Sequence, residues 1–122
     1  MLNKALNADL EIRSGRLKKR PEFLYVAKNG QKWVSDSVII QVNETDTGEV
    51  RFGNTATKKI GNAVVRNRTK RRLRAAVCEI LKSENLKSAD IVLIGRNTTP
   101  TVAWDKLVKD LRWCFKRLGI VK

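Results

Sequence analysis

The side chains best equipped for chemistry in this sequence are lysines and arginines, and nine of them crowd into one segment. Residues 50–78 hold these nine cations and no acid. Six of the nine are arginines, whose forked guanidinium groups suit the recognition of phosphate oxygens. The cations are Arg51, Lys58, Lys59, Arg66, Arg68, Lys70, Arg71, Arg72 and Arg74. This pattern predicts the binding of a polyanion.

A second basic segment lies closer to the start of the chain. Residues 12–21 carry five cations without an acid, namely Arg13, Arg16, Lys18, Lys19 and Arg20. The net charge is +14, and outside the two segments basic and acidic side chains cancel. Because the excess is confined to two segments, it indicates a binding surface rather than a general aid to solubility. Nucleic acid is the leading candidate partner, and an anionic membrane surface is the alternative.

The remaining residue types argue against catalysis by the protein itself. Histidine is absent, which excludes histidine general bases, Ser-His-Asp triads and histidine-ligated metals. Cys78 and Cys114 have no metal-binding spacing, so we expect two reduced thiols. The 12 acids are dispersed along the chain. We therefore predict no catalytic residue and no protein metal site.

Length and hydropathy set the organisation of the chain. With 122 residues it is long enough for one domain, predicted over residues 1–122, and too short for two ordinary ones. Residues 1–15 are expected to be flexible. No signal-peptide pattern is present, and the apolar runs are far shorter than the ~20 residues that cross a bilayer. We expect a cytoplasmic protein with no membrane partner.

Hydrophobic spacing and turn residues predict the elements that position the cations. The predicted helices begin at Pro21, at the N-cap Asn62 and at Thr99–Pro100, and the second ends at about Glu84. The predicted strands span residues 33–35, 38–42, 50–57 and 91–94. The order α-β-β-β-α-β-α predicts an α+β fold, a two-layer α/β sandwich around a small sheet.

The second predicted helix concentrates the cations around an apolar stripe. Arg66, Lys70 and Arg74 follow one flank of the stripe at intervals of four residues. Like charges at this spacing, and cations near a helix N-terminus, both weaken a helix. Bound phosphates would relieve both conflicts, so the segment looks built for an anionic ligand.

The same segment carries a family resemblance. The residues from Lys58 to Arg74, KKIGNAVVRNRTKRRLR, resemble the signature of the bacterial ribonuclease P protein component. The similarity extends upstream to LKKRPEF at residues 17–23 and downstream to DIVLIGR at residues 90–96. It covers the order of elements from about residue 16 to about residue 118.

The resemblance implies both a function and an unusual topology. It implies the protein subunit of an endoribonuclease, which binds a catalytic RNA and the 5′ leader of precursor tRNA and assists removal of the leader. The RNA is expected to perform the hydrolysis with Mg²⁺ that it holds mainly by itself. The family fold further implies a left-handed crossover for the strand–helix–strand unit between residues 50 and 96, whereas pattern reasoning alone favours the right hand.

The resemblance also implies the site residues. Those expected to contact RNA are Lys58, Lys59, Asn62, Arg66, Asn67, Arg68, Lys70, Arg71, Arg72 and Arg74. Those expected to line a cleft for the leader are Phe23, Arg16, Lys18, Lys19 and Arg20. The chain departs from the family pattern at Ala27 and in the strand from Val38 to Gln41, where many members carry aromatic residues. It also departs at Asn54, where an apolar residue is common, and at Ala75, where an acid is frequent.

Two other classes of protein fit the composition. A structural RNA-binding protein, such as a ribosomal protein without a role in cleavage, has a similar size and charge, and only the central motif argues against it. A DNA-binding protein is disfavoured because no helix-turn-helix spacing or dimerisation heptad is visible. We therefore expect no DNA partner.

Overall fold

The computed structural model describes residues 16–122, so the predicted flexibility of residues 1–15 lies outside the described part of the chain. Residues 16–122 form three α-helices and four strands in the order predicted. They are α1 (Arg20–Asn29), β1 (Gln31–Val34), β2 (Val38–Glu44), β3 (Val50–Thr55), α2 (Ala63–Leu81), β4 (Ala89–Gly95) and α3 (Trp104–Arg117). A short 3₁₀ helix, Lys58–Ile60, leads from β3 into α2. The α+β class is confirmed.

The four strands form one sheet in the order β1-β2-β4-β3. Strand β2 is antiparallel to both β1 and β4, whereas β3 and β4 are parallel neighbours. Helix α2 is therefore the crossover between two adjacent parallel strands. The left hand of this crossover stays a prediction. Residues Ala89–Leu93 of β4 are all buried, which confirms the central strand predicted from the run Ile91–Ile94.

The main hydrophobic core lies between one face of the sheet and helices α2 and α3. Period-two alternation on the strands and a helical stripe on each helix bring large apolar side chains together there. Its fully buried members include Ile40, Leu73, Ile80, Ile91, Leu93, Leu107, Leu111 and Phe115. Burial of several such side chains, at roughly 1.5–3 kcal/mol each, is the main force that holds α2 against the sheet.

Helix α1 lies against the opposite face of the sheet. Val26 is its one buried residue, and it packs with Leu17 and Val92 in a second, smaller cluster. Phe23 and Ile94 border this cluster. Helix α1 lies mainly over β2 and β4, and its first turn reaches β3, where Phe23 meets Gly53.

Helix α2 begins as predicted and ends earlier than predicted. The Asn62 side chain caps the helix, since its Oδ1 accepts the Val65 N–H at 3.0 Å. The last helical residue is Leu81 rather than Glu84. The N–H groups of Ser83 and Glu84 both donate to the Ile80 carbonyl, and residues 82 and 83 form a turn that ends the helix.

The prediction that Thr99 and Pro100 open the last helix is wrong. Residues 97–101 form a turn, and α3 begins at Trp104. The Thr99 hydroxyl donates to the Ser37 carbonyl and accepts the Arg96 N–H, which ties the turn to the end of the sheet. These tertiary hydrogen bonds replace the helix cap that Thr99 was expected to supply.

Helix α2 approaches β4 most closely at a glycine. A Cβ atom added to Gly95 would lie 2.5 Å from Thr69 Cγ2 and 3.2 Å from the Ile60 Cδ1 atom. Thr69 is fully buried, and its hydroxyl donates to the Val65 carbonyl at 2.9 Å. The absence of a side chain at residue 95 thus sets how closely the basic helix sits against the sheet.

Candidate nucleic-acid interface

One side of α2 presents cations to solvent with no acid among them. Thr69 and Leu73 are buried against the sheet, while Asn67, Arg68, Lys70 and Arg71 are exposed. We define the basic face of α2 as Arg66, Asn67, Arg68, Lys70, Arg71 and Arg74, of which Arg66 and Arg74 are half-buried.

Within residues 16–122, no carboxylate pairs with the basic face. Its five cations are absent from every ion pair that the described residues form. Lys58 and Lys59 extend the same charge along the exposed 3₁₀ helix. This surface has the charge and the side-chain geometry of a phosphate-binding surface.

Arg72 differs from the cations of the basic face. Its guanidinium donates to the carbonyl of Thr99 at 2.7 Å and also to the carbonyl of Val102. Partial burial, followed by the nearby charge of Arg68, lowers the pKa of Arg72. The structure therefore gives Arg72, predicted to contact RNA, a structural role: it joins α2 to the turn before α3.

The charge of Arg51 is also balanced by acids, although Arg51 is one of the nine cations in the segment that itself contains no acid. Its Nε and Nη2 atoms donate to the two carboxylate oxygens of Asp90 at 2.8 Å each. Its Nη1 donates to Glu22 Oε2 at 3.0 Å. These carboxylates, Asp90 foremost, raise the pKa of Arg51. The pairing joins β3 to β4 and to the first turn of α1. It could not be predicted from the sequence, because Arg51 is 39 residues from Asp90 and 29 residues from Glu22.

A cavity of about 120 Å³ lies where the predicted leader cleft meets the basic helix. It opens beside β3, one of the two edge strands of the sheet, between α1 and α2. Arg16 and Phe23 come from the predicted cleft, and Lys70 and Arg74 come from the basic face of α2. The remaining lining residues are Leu17, Phe52, Gly53 and Asn54. Two groups of residues far apart in sequence thus share one cavity.

The outer edge of β3 carries the residues that precede α1. Arg16 forms an isolated parallel bridge with Phe52, and the Leu17 N–H donates to the Phe52 carbonyl at 3.0 Å. This contact holds Arg16 at the rim of the cavity. By contrast, Lys18, Lys19 and Arg20 are exposed and are not among the residues that line the cavity.

Phe23 is placed by a glycine that sequence reasoning missed. A Cβ atom added to Gly53 would lie 2.5 Å from two ring carbons of Phe23. The ring therefore packs directly on the backbone of β3, and one part of it borders the cavity. A glycine within a predicted strand is a recognised mark of such a close approach, and this signal was available in the sequence.

Glu22 anchors the backbone beside the cavity. Its Oε1 accepts the N–H groups of Lys18 and Lys19 at 2.9 Å each, while its Oε2 pairs with Arg51. The hydrogen bond from the Lys19 N–H, then that from Lys18, and the charge of Arg51 lower the pKa of Glu22. The carboxylate is thus stabilised in its charged form at the start of α1.

The described carboxylates near the cavity do not form a metal site. Glu22 and Asp90 are both bound to Arg51, and no group of three or more potential metal-ligating side chains occurs within residues 16–122. Mg²⁺, which the resemblance implies, therefore has no matching set of protein ligands in this part of the chain.

Fold and surface together define a small α+β protein with a basic helix face and an adjoining cavity lined in part by an aromatic ring. The family model described as Ribonuclease P matches residues 12–119. A relative from Gluconacetobacter diazotrophicus, called ribonuclease P protein component, is 48% identical over 109 residues, which cover 88% of this chain and 94% of the relative. One of the same name from Paramagnetospirillum magneticum is 37% identical over 118 residues, covering 93% and 89%.

Solved structures agree with these relatives. The RNase P protein of Staphylococcus aureus superposes with a TM-score of 0.76 at 25% identity, covering 88% of this chain and 98% of that one. The RNase P protein from Thermotoga maritima has a TM-score of 0.75 at 25% identity, covering 85% and 97%. The chain belongs to the ribonuclease P protein family. It is the protein subunit of an endoribonuclease of tRNA processing, in which RNA is the catalyst.

No helix within the described residues is long and apolar enough to cross a membrane.

Proposed function

We propose that the basic face of α2 binds the catalytic RNA subunit and that the cavity beside β3 receives the 5′ leader of precursor tRNA. In this arrangement the protein orients the leader while the RNA removes it. The observation that carries the proposal is the shared cavity, since Arg16 and Phe23 meet Lys70 and Arg74 there. An aromatic ring beside cations suits single-stranded RNA, because bases stack on the ring and phosphates meet the cations.

The chain's own residues account for binding rather than for bond cleavage. Lys58 and Lys59 would extend the RNA contact of α2, and Lys18, Lys19 and Arg20 would hold the leader where it leaves the cavity. Mg²⁺ would be held by RNA phosphates, because Glu22 and Asp90 are bound to Arg51. The proposed place of action is the cytoplasm.

The experiment compares two aromatic residues of α1. Phe23 borders the cavity, whereas Tyr25 is 59% exposed on the same helix and is absent from the cavity lining. Each is replaced by Ala in enzyme reconstituted with the catalytic RNA. Affinities are then measured for precursor tRNA with a leader and for mature tRNA without one.

We expect Phe23→Ala to weaken binding of the leader-bearing substrate about 5- to 150-fold, which corresponds to the loss of one stacked base. Affinity for mature tRNA should not change, and Tyr25→Ala should behave like the wild type. Equal effects on both ligands would show that Phe23 acts only in packing. A protein that binds RNA but fails to stimulate cleavage would instead support a structural RNA-binding protein.

A further inference from the structure

Val64 is an exposed apolar residue on a side of α2 that is otherwise polar and charged. It is 74% exposed, the largest value among the exposed large hydrophobic residues within 16–122. It belongs to neither of the two hydrophobic clusters. Single exposed apolar residues are common at protein surfaces, so exposure alone does not indicate a function. What distinguishes Val64 is its position.

Helical spacing places Val64 within the basic face of α2. Asn67 and Arg68 follow it by three and four residues and Arg71 by seven, so their side chains lie on one side of the helix. All four residues are exposed. Leu73, nine residues after Val64, is buried on the opposite side of the helix. A polyanion that contacts Arg68 and Arg71 together therefore also covers Val64.

Packing within the free protein does not account for a valine at this position. Val64 is the second residue of α2, where a β-branched side chain is less favourable than alanine, lysine or glutamate. Its methyl groups face water instead of the core. The valine thus destabilises the free helix slightly, and the contact that would offset this cost lies outside the described residues.

RNA offers an uncharged surface between its phosphates. Ribose carbons and base edges are accessible in the wide, shallow minor groove of an RNA helix and in unpaired segments. When Arg68 and Arg71 bind phosphates, the methyl groups between them can be shielded from water by a sugar or a base. A valine contributes nothing to a surface that contacts phosphates only.

We infer that Val64 packs against a ribose or a base of the catalytic RNA and supplies a salt-independent part of the binding by the basic face of α2. The inference rests on the proposed function, since it requires this face to bind the catalytic RNA. Burial of apolar surface is not screened by salt, whereas the contribution of Arg68 is. The two contributions can therefore be separated by experiment.

The test measures binding to the catalytic RNA alone at several salt concentrations. We expect Val64→Ala to weaken binding about 3- to 15-fold, because up to two buried methyl groups are lost. The loss should be the same at low and at high salt, since no charge is removed. Val64→Thr, which replaces one methyl group by a hydroxyl group, should also weaken binding, whereas Val64→Ile should retain the affinity.

The free variant and a second exposed valine provide the controls. Free Val64→Ala should melt at the same or a higher temperature, because alanine is the better helix former. Val34 is 47% exposed on β1, and Val34→Ala should leave the affinity unchanged. Wild-type affinity in Val64→Ala, or a loss confined to low salt, would overturn the inference. A loss seen only for precursor tRNA in the reconstituted enzyme would overturn it too.

Arg68→Ala, measured in the same titrations, separates this result from the proposed function. If neither Arg68→Ala nor Val64→Ala weakens binding, the basic face of α2 does not bind the catalytic RNA, and the proposed function and this inference fail together. If only Arg68→Ala weakens binding, and the dependence on salt becomes shallower, only the role of Val64 is rejected.

Discussion

At the scale of single residues, Arg68 and Arg72 lie one helical turn apart on α2 but meet different surroundings. Arg68 is exposed and no described acid pairs with it, whereas Arg72 is half-buried and donates to two backbone carbonyls. A guanidinium that faces solvent is available to a phosphate, while one that satisfies buried carbonyls is needed by the fold itself. Position on the helix therefore assigns different roles to chemically identical side chains.

This difference predicts opposite effects of removing the two kinds of arginine. Arg66→Ala or Arg68→Ala should weaken binding to the catalytic RNA by about 1.5–3 kcal/mol, or roughly 10- to 150-fold, through loss of a charge-assisted contact. Stability without RNA should be unchanged or slightly higher, because repulsion from Lys70 and Arg72 is relieved. Filter binding and thermal melting measure the two effects.

Arg72→Ala is the matched control on the same helix. It should lower the free energy of unfolding by about 1–3 kcal/mol, because the Thr99 and Val102 carbonyls lose their donor. Affinity per folded molecule should change little. If Arg66→Ala and Arg68→Ala melt early and bind RNA normally, the basic face of α2 is structural and the assignment fails.

Glu22 makes the stability of the protein depend on pH in the acid range. Its pKa is lower in the folded protein than the ordinary value of 4.5, so the folded state favours the charged form. The stabilisation is therefore complete above that ordinary value and is lost as pH falls through the folded pKa. Glu22→Gln keeps an oxygen that can accept from Lys18 and Lys19 but removes the charge.

We expect wild type to be more stable than Glu22→Gln above pH 4.5, the ordinary pKa, and the difference to shrink as pH falls below that value. Urea unfolding across this range measures it. The exposed Glu44, which is absent from the ion pairs among residues 16–122, offers Glu44→Gln as a control for the loss of one surface charge. A difference that is constant with pH would contradict the stabilising role of the Glu22 charge.

At the scale of elements, the position of α2 depends on the contact between Gly95 and Thr69. Gly95→Ala should destabilise the protein by about 1–3 kcal/mol, because the added methyl group would overlap Thr69 Cγ2 at 2.5 Å. Rotation of the Thr69 side chain relieves the overlap only by breaking its hydrogen bond to the Val65 carbonyl.

The double variant Gly95→Ala/Thr69→Ser tests this contact, since serine keeps the hydroxyl and lacks the methyl group. Its loss of stability should be smaller than the sum of the two single losses by about 1 kcal/mol. Chemical denaturation of the four proteins gives the coupling energy. Additive losses would show that the two side chains do not compete for the same space.

The elements themselves were largely predictable because each carries its own local signal. Asn62 marks the start of α2, and the apolar run Ile91–Ile94 marks the central strand. The start of α3 was not predictable from Thr99 and Pro100, because the Thr99 hydroxyl is held by hydrogen bonds to Ser37 and Arg96. Such contacts join distant parts of the chain and leave no periodic pattern.

The site was predictable to a lesser degree than the fold. Charge and motif identified the exposed cations of α2 and the aromatic Phe23, and the cavity brings members of both groups together. Charge counting could not separate Arg51 and Arg72 from the rest, because their partners Asp90, Glu22 and the loop carbonyls are remote in sequence.

At the scale of the whole molecule, the binding surface predicts a steep dependence on salt. When the logarithm of the affinity for structured RNA is plotted against the logarithm of salt concentration, each neutralised phosphate should contribute a slope of roughly −0.7 to −0.9. The total slope should be about −4 or steeper. Removal of two cations in Arg68→Ala/Arg71→Ala should make the slope shallower by about 1.5. Binding titrations at several salt concentrations measure these slopes.

A pair of lysines away from the basic face provides the control for charge. Lys87 and Lys109 are exposed and belong to other parts of the fold. Lys87→Ala/Lys109→Ala lowers the net charge by the same amount and should leave the slope nearly unchanged. Equal slopes for both double variants, or affinity that does not respond to salt, would contradict a localised polyanion surface.

The pairing of Arg51 with Glu22 and Asp90 reduces the negative charge along one wall of the cleft, because the guanidinium offsets one of the two carboxylates. Arg51 and Gly53 point to the same face of β3, so this pairing lies beside the ring of Phe23. Without the Arg51 charge, two carboxylates would stand unneutralised on the path of an incoming polyanion. An arginine that need not touch RNA thus weakens the repulsion at that wall, and replacing it with a neutral residue would strengthen the repulsion of an incoming phosphate.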